Sequence, residues 1–194
     1  MALSPAIFLD KDGTVLLDVP YNVDAQKMQF APGASQGLSR LAQLPVPIFV
    51  ITNQPGIALG KFCLEDLENM QHELQRMFAQ VGARLAGLYF CPHHPGGSLQ
   101  QYARECVCRK PKPGLLLEAA DQHDIDLKRS WFVGDILDDI EAGRRAGCQT
   151  VLIDNGNETE WLLNDSRVPH YRVADLAEAS RLLFAKCSRQ EICI

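Results

Sequence analysis

Two carboxylates stand two residues apart in the run FLDKDGT, at Asp10 and Asp12, directly after an apolar stretch. If a strand ends there with regular alternation, both side chains face the same way and share one site. Like charges in a water-poor crevice are costly, so either one carboxyl keeps a proton or a hard cation such as magnesium sits between them. Asp135, after the apolar residues 131–133, is a third carboxylate placed to complete an oxygen-ligand set. Asp-x-Asp-Gly alone reads more readily as a solvated turn. Its company weighs against the turn: Thr52 and Asn53 close another apolar stretch, and Lys110 follows in CRKPKPG. Thr52 by itself could be a plain strand-end hydroxyl, and Lys110 a solvated lysine.

A second constellation is Cys91, His93, Cys106 and Cys108, a CxH pair and a CxC pair separated by twelve residues. Three thiolates and an imidazole make a closed tetrahedral zinc set with no place for water, the pattern of a structural rather than a catalytic ion. The competing reading, cysteine as a small buried hydrophobe, suits isolated residues such as Cys63 and Cys148 better than two paired sets. Arg109 and Lys110 follow Cys108 directly, so the same ion would fix two cations. His94 is off the spacing and is read as solvated or hydrogen-bonded.

These groups need a frame. Residues 6–9, 48–51, 88–90, 131–133 and 150–153 are short, apolar and rich in β-branched or aromatic types, the mark of buried strands. Residues 33–43, 64–81, 113–123 and 136–146 carry apolar positions near a 3.6 period, with Gly82 and Gly147 as stops. Strand alternating with helix predicts an α/β fold, a doubly wound and mainly parallel sheet of Rossmann-like type. Open sheets of that kind bind ligands beyond the carboxyl ends of their strands, where Asp10, Thr52 and Asp135 all fall. Residues 92–112 have no period and read as an excursion from the sheet. Residues 14–32 are too short for a cap domain, so the site is expected to be open.

The chain has 194 residues, 46% hydrophobic and 22% charged, which predicts one folded domain over residues 1–185 with a frayed tail over 186–194. Its formal charge of -5 and lack of any long basic run disfavour a nucleic-acid partner. No stretch is apolar for long enough to span a membrane, and the opening residues lack the pattern of a signal peptide, so a cytoplasmic protein is expected. Seven cysteines, an odd count, argue for metal ligation over a disulfide framework.

In order, FLDKDGT, VITNQPGI, CRKPKPG and FVGDILDD resemble the four motifs of the haloacid-dehalogenase-type phosphatases, over nearly the whole chain. The resemblance implies that Asp10 is the nucleophile, Asp12 the acid and base, Thr52 a hydrogen-bond donor to the phosphoryl oxygens, and Lys110 their counter-charge. Asp135 would bind magnesium with Asp10 and the Asp12 carbonyl, with Asp139 assisting behind. A carboxylate is a weak nucleophile towards a phosphate dianion, and a cation on each side relieves that repulsion.

Within that superfamily, the Cys3His loop resembles those of heptose 1,7-bisphosphate and histidinol-phosphate phosphatases, and the twelve-residue spacer with NQPGIALGKF is nearer the heptose group. This implies magnesium-dependent removal of the C7 phosphate from D-glycero-D-manno-heptose 1,7-bisphosphate, a phosphorylated sugar of lipopolysaccharide core synthesis, by an enzyme with structural zinc; a monomer is expected. Asp18, Val19, Pro20, Tyr21, Thr52, Asn53, Gln54, Pro55, Arg109 and Lys110 would line the substrate pocket, with Arg109 recognising the substrate. Pro55 and Leu59 stand where many heptose enzymes carry Ser and Arg. Histidinol phosphate or another small phosphate ester is the alternative substrate, and a non-catalytic zinc-stabilised binding module the alternative class. A phosphatase of nucleic-acid ends would need a basic track that is missing.

Overall fold

Side chains along β1 (Ile7–Leu9) alternate between two apolar layers, which shows how the sheet is covered. Ile7 and Leu9 enter one apolar layer, Phe8 enters another, and all three are enclosed. The computed structural model describes residues 3–189. Strands β2 (Ile48–Asn53), β3 (Leu85–Cys91), β4 (Trp131–Gly134), β5 (Gln149–Ile153) and β6 (Tyr171–Val173) complete a six-stranded parallel sheet in the order β3-β2-β1-β4-β5-β6. Strands covered on both faces read as continuous apolar runs, which is why the central ones are plain in the sequence.

Helices α1 (Ala34–Leu41), α2 (Leu64–Gln80) and α5 (Leu176–Arg189) place Leu38, Leu74 and Leu183 in the layer of Ile7 and Leu9. Helices α3 (Gly114–His123) and α4 (Leu137–Ala146) place Leu115 and Ala142 in the layer of Phe8, where Phe8 stacks on Phe49 at 5.6 Å. The result is the expected doubly wound α/β sheet, with no inserted cap domain among the described residues. None of their helices is long and apolar enough to cross a membrane.

Several elements differ from the sequence reading. Strand β3 is longer than residues 88–90 because Ala86 and Gly87 hide its first half; Gly87 lies flat against Phe49, where a Cβ would be 3.1 Å from the ring. Strand β6 is only three residues long, with Arg172 exposed at its centre. The helix after it carries a legible start: Asp175 Oδ1 accepts the Glu178 N–H at 2.7 Å and Glu178 Oε2 accepts the Ala174 N–H at 2.7 Å. Helix α5 continues to Arg189, so it takes in residues 186–189 of the expected tail; the rest of that tail, Cys193 included, lies outside the described residues. Cys148 is buried as expected, whereas Cys63 is exposed at the head of α2.

The strand order reverses between β1 and β4, which opens a crevice beyond their carboxyl ends. Its mouth is aimed by register: Leu9 pairs with both Val50 and Val133, so the residues after β1, β2 and β4 emerge side by side.

Close packing of α1 on α5 depends on Gly37, where a Cβ would lie 2.6 Å from the Leu176 carbonyl oxygen. Gly37→Ala should therefore lower stability by about 1–3 kcal/mol, read as a lower urea midpoint with an unchanged slope. An unaltered midpoint would contradict this packing.

Candidate active site

Asp10 leaves β1 with its N–H donated to the Val133 carbonyl at 2.9 Å, which seats it at the reversal of the sheet. Its buried carboxylate accepts a short hydrogen bond from Lys110 Nζ, which also lies 2.6 Å from Asp139 Oδ1. Asp139 is fully enclosed, and its Oδ2 accepts the N–H groups of Asp135 and Ile136 at 3.2 and 3.3 Å, capping α4. Asp135 accepts Thr14 Oγ1 at 3.3 Å and Asn157 Nδ2 at 2.7 Å. One carboxylate oxygen from each of Asp10, Asp135 and Asp139 lies within 4.8 Å of the others.

One ammonium thus faces three buried carboxylates. Burial first, then repulsion by Asp10 and Asp139, pushes the Asp135 carboxyl up to about 8. Burial also pushes Asp139 up to about 7, against the opposing pull of Lys110. Burial alone would lower the Lys110 pKa, but Asp10 and Asp139 more than reverse this and hold it raised, so the lysine stays charged. The donor set is all oxygen, anionic and short of positive charge, which fits a hard divalent cation such as magnesium.

Asp12 looks elsewhere. Its Oδ1 accepts Lys11 Nζ at 2.7 Å and its Oδ2 accepts Gln54 Nε2 at 3.2 Å, so its carboxylate does not join the three-carboxylate group. Burial raises its pKa, with Lys11 opposing and Asp10 adding to the effect; the shift favours a carboxyl that keeps a proton to give away. Gln54 also donates to Thr52 Oγ1 at 3.0 Å and is itself buried, so it braces the acid and the hydroxyl from behind. Asn53 clamps the Lys110 backbone from both sides, donating to its carbonyl at 3.2 Å and accepting its N–H at 3.1 Å. Both amides, expected from the sequence at the substrate, thus also brace the site, and Asn53 reaches the cavity wall.

A cavity of about 280 Å³ gathers Asp10, Asp12, Asp18, Thr52, Asn53, Pro55, Arg109, Lys110 and Asp135 with Ile136 and Asp138. Of residues 18–21, only Asp18 lines it; Val19, Pro20 and Tyr21 stand exposed outside its wall. A larger depression of about 470 Å³ lies at the opposite, amino-terminal edge of the sheet by Pro47 and Phe49, away from this chemistry.

Beside the cavity, Cys91 ends β3 and meets His93, Cys106 and Cys108. Its sulfur lies 3.5 Å from Cys106 Sγ and 3.3 Å from Cys108 Sγ, and His93 Nδ1 is 3.4 Å from Cys108 Sγ. These separations are far too long for a disulfide near 2.05 Å and approach the edges of a tetrahedron around zinc with bonds of about 2.3 Å. Burial, then Arg104, lowers the His93 pKa, which favours the neutral ring that a ligand must be. The Arg109 N–H reaches Cys106 Sγ at 3.4 Å, so the cluster sets the start of the Arg109-Lys110 pair. His94 accepts the Gly96 N–H at 3.1 Å, outside the cluster.

Sequence reasoning missed Lys11, which reads as a spacer but is wholly buried against Asp12. It also missed Asn157 and Asp138. Gly13 had a signal in its DG dipeptide: it adopts φ +83°, and a Cβ there would lie 1.9 Å from Asp135 Oδ2.

Comparison with known proteins agrees with this geometry. The HAD-hydrolase-like family model matches residues 107–179. The D-glycero-beta-D-manno-heptose-1,7-bisphosphate 7-phosphatase of Escherichia coli (strain K12) is 38% identical over 184 residues, 90% of this chain and 93% of that protein. This chain belongs to the heptose-1,7-bisphosphate phosphatase family of HAD-like hydrolases. Its similarity extends to the enzyme of the same name from Vibrio cholerae serotype O1, 37% identical over 86% of this chain and 95% of that protein. The D,D-heptose 1,7-bisphosphate phosphatase of B. bronchiseptica, solved with magnesium and phosphate, matches with a TM-score of 0.77 and 30% identity over 94% of this chain and 99% of that one.

The raised carboxyls have a consequence for stability. In metal-free protein, Asp135 and Asp139 keep protons that the unfolded chain releases near pH 4, so their contribution is full below about pH 4 and lost as pH rises through about 7 and about 8. The thermal midpoint of chelator-treated protein should fall across that window, added magnesium should restore it, and Asp135→Asn should flatten both responses. A midpoint that rises with pH over the window, or ignores magnesium, would contradict the charge balance.

Proposed function

We propose that this chain is a magnesium-dependent phosphoric monoester hydrolase that removes the C7 phosphate of D-glycero-beta-D-manno-heptose 1,7-bisphosphate, leaving the heptose 1-phosphate. The observation that carries the reading is the meeting of Asp10, Asp12, Lys110 and Asp135 in one cavity, with burial raising the pKa of Asp12. The names and coverage of the relatives support the substrate.

In this reading the Asp10 carboxylate attacks phosphorus, the bond from phosphorus to the C7 oxygen breaks, and Asp12 gives its proton to that oxygen. Asp12, now a base, takes a proton from water as the water attacks the aspartyl phosphate; inorganic phosphate leaves and Asp10 is free again. Lys110 compensates charge on the transferring group, and Thr52 donates its hydroxyl proton to a phosphoryl oxygen. Asp10, Asp135 and the Asp12 carbonyl would hold magnesium, with Asp139 positioned behind them by its bonds to the α4 backbone. Bound there, the ion supplies positive charge that lowers repulsion between nucleophile and substrate.

Arg109 faces the same cavity and suits the sugar's second phosphate or hydroxyls. Zinc on Cys91, His93, Cys106 and Cys108 would hold the loop that presents it. All these groups come from one chain, which supports a monomeric catalytic unit.

The test compares the beta and alpha heptose bisphosphates, histidinol phosphate and simple sugar phosphates with magnesium present. The beta heptose bisphosphate should give the highest kcat/KM, and Asp10→Asn should cut kcat by at least about a thousandfold. A preference for histidinol phosphate would overturn the substrate, and an active Asp10→Asn enzyme would overturn the mechanism. Arg109→Ala should raise KM more than it lowers kcat; equal falls in kcat and kcat/KM would instead place Arg109 on the transition state.

A further inference from the structure

The segment between β5 and β6 begins with the run DNGNE, which reads as an ordinary turn. Its side chains do not simply face water. Asn155 Nδ2 donates to the Gly13 carbonyl at 2.8 Å, Asn157 Nδ2 donates to Asp135 Oδ2 at 2.7 Å, and Glu158 Oε2 accepts the Leu137 N–H at 2.6 Å. Three nearby residues thus grip the loop that carries Asp10 and Asp12, the carboxylate after β4, and the start of α4. Asn155 is locked in turn by the Asn157 N–H, which its Oδ1 accepts at 3.0 Å.

We propose that Asn157 is a positioning residue for Asp135, holding that carboxylate oriented towards the metal cluster it forms with Asp10. The inference rests on the magnesium reading above and extends it to a residue outside the four motifs.

Neutrality is what suits an asparagine to this task. Asp135 sits among repelling carboxylates, and the longer bond from Thr14 to its Oδ1, at 3.3 Å, leaves Oδ2 to be held by Asn157. A cation in place of Asn157 would compete with a bound metal for the same oxygen, whereas an amide N–H fixes the side chain and leaves the charge in place. Space reinforces the restraint: a Cβ on Gly13 would lie 2.5 Å from Asn157 Nδ2, so glycine, amide and carboxylate are packed at one point. Partners that orient a metal ligand from outside typically change metal affinity when removed, by roughly 10- to 100-fold.

The decisive experiment is calorimetric titration of magnesium into zinc-loaded, magnesium-free protein, for the parent, Asn157→Ala, Asn157→Gln and Thr159→Ala. Asn157→Ala should bind magnesium roughly 10-fold or more weakly, and the magnesium concentration giving half-maximal activity should rise by a similar factor. Asn157→Gln, which keeps the amide, should recover part of the affinity, and Thr159→Ala should match the parent. If Asn157→Ala binds as tightly as the parent, or Thr159→Ala weakens binding equally, Asn157 does not position Asp135. A parent that binds no magnesium would overturn both this inference and the metal reading beneath it. Should Asn157→Ala fail to fold, Asn157→Ser, which shortens the side chain beyond reach of Asp135, takes its place with the same expected loss.

Discussion

A single buried ammonium shared among carboxylates is the constraint on which the site depends. Lys110 touches Asp10 and Asp139 at once, while Asp135 stands beside them without a cation of its own. Such a group is unstable unless every member is held in place and the missing charge is supplied, by protons or by a metal. The fold meets the first need. Asp10 is fastened to β4 through its N–H, Asp139 to the first turn of α4, and Lys110 to Asn53 at the end of β2. Each anchor comes from a different element, and all converge because β1 lies between β2 and β4. The second need makes the protein a receptor for positive charge, and through that charge for phosphate.

The same layout explains how an open cavity can select. With no cap domain over it among the described residues, specificity rests on loops at the sheet's carboxyl edge. The cysteine and histidine cluster governs one of them: Cys106 accepts the Arg109 N–H, and the next residue is the buried Lys110. A metal that staples this loop would therefore act on both the recognition of the sugar and the charge at the reacting phosphate. Asp12 works under different rules. Lys11 and Gln54 hold its oxygens apart from the three-carboxylate group, which in the proposed mechanism separates proton transfer from charge compensation.

Much of this was legible before any coordinates. The carboxylates, Thr52 and Lys110 announce themselves because their chemistry is unusual directly after apolar strands, and the zinc set because paired cysteines and histidine seldom coincide. The central strands were readable for their unbroken apolar runs, whereas β3 was shortened by Ala86 and Gly87 and β6 concealed by its length and by Arg172. The bracing role of Asn53 and Gln54, which were read as substrate-pocket residues, and the part played by Asn155 and Asn157 escaped notice for a common reason. Asn53, Gln54, Asn155 and Asn157 are ordinary loop formers, and only tertiary placement decides whether an amide caps a turn or clamps a lysine. Lys11 was hidden by the opposite prejudice, since lysines are rarely enclosed unless paired.

The central claim is that the carboxylate of Asp10 carries phosphate during turnover. Mass spectrometry of acid-quenched enzyme addresses it most directly, using the Asp12→Asn variant, in which hydrolysis of the intermediate should be slow, incubated with magnesium and heptose bisphosphate. The account predicts one added phosphoryl group on the peptide containing Asp10, lost on treatment with hydroxylamine. A peptide that stays unmodified while phosphate is released, or a phosphoryl group on another residue, would contradict it.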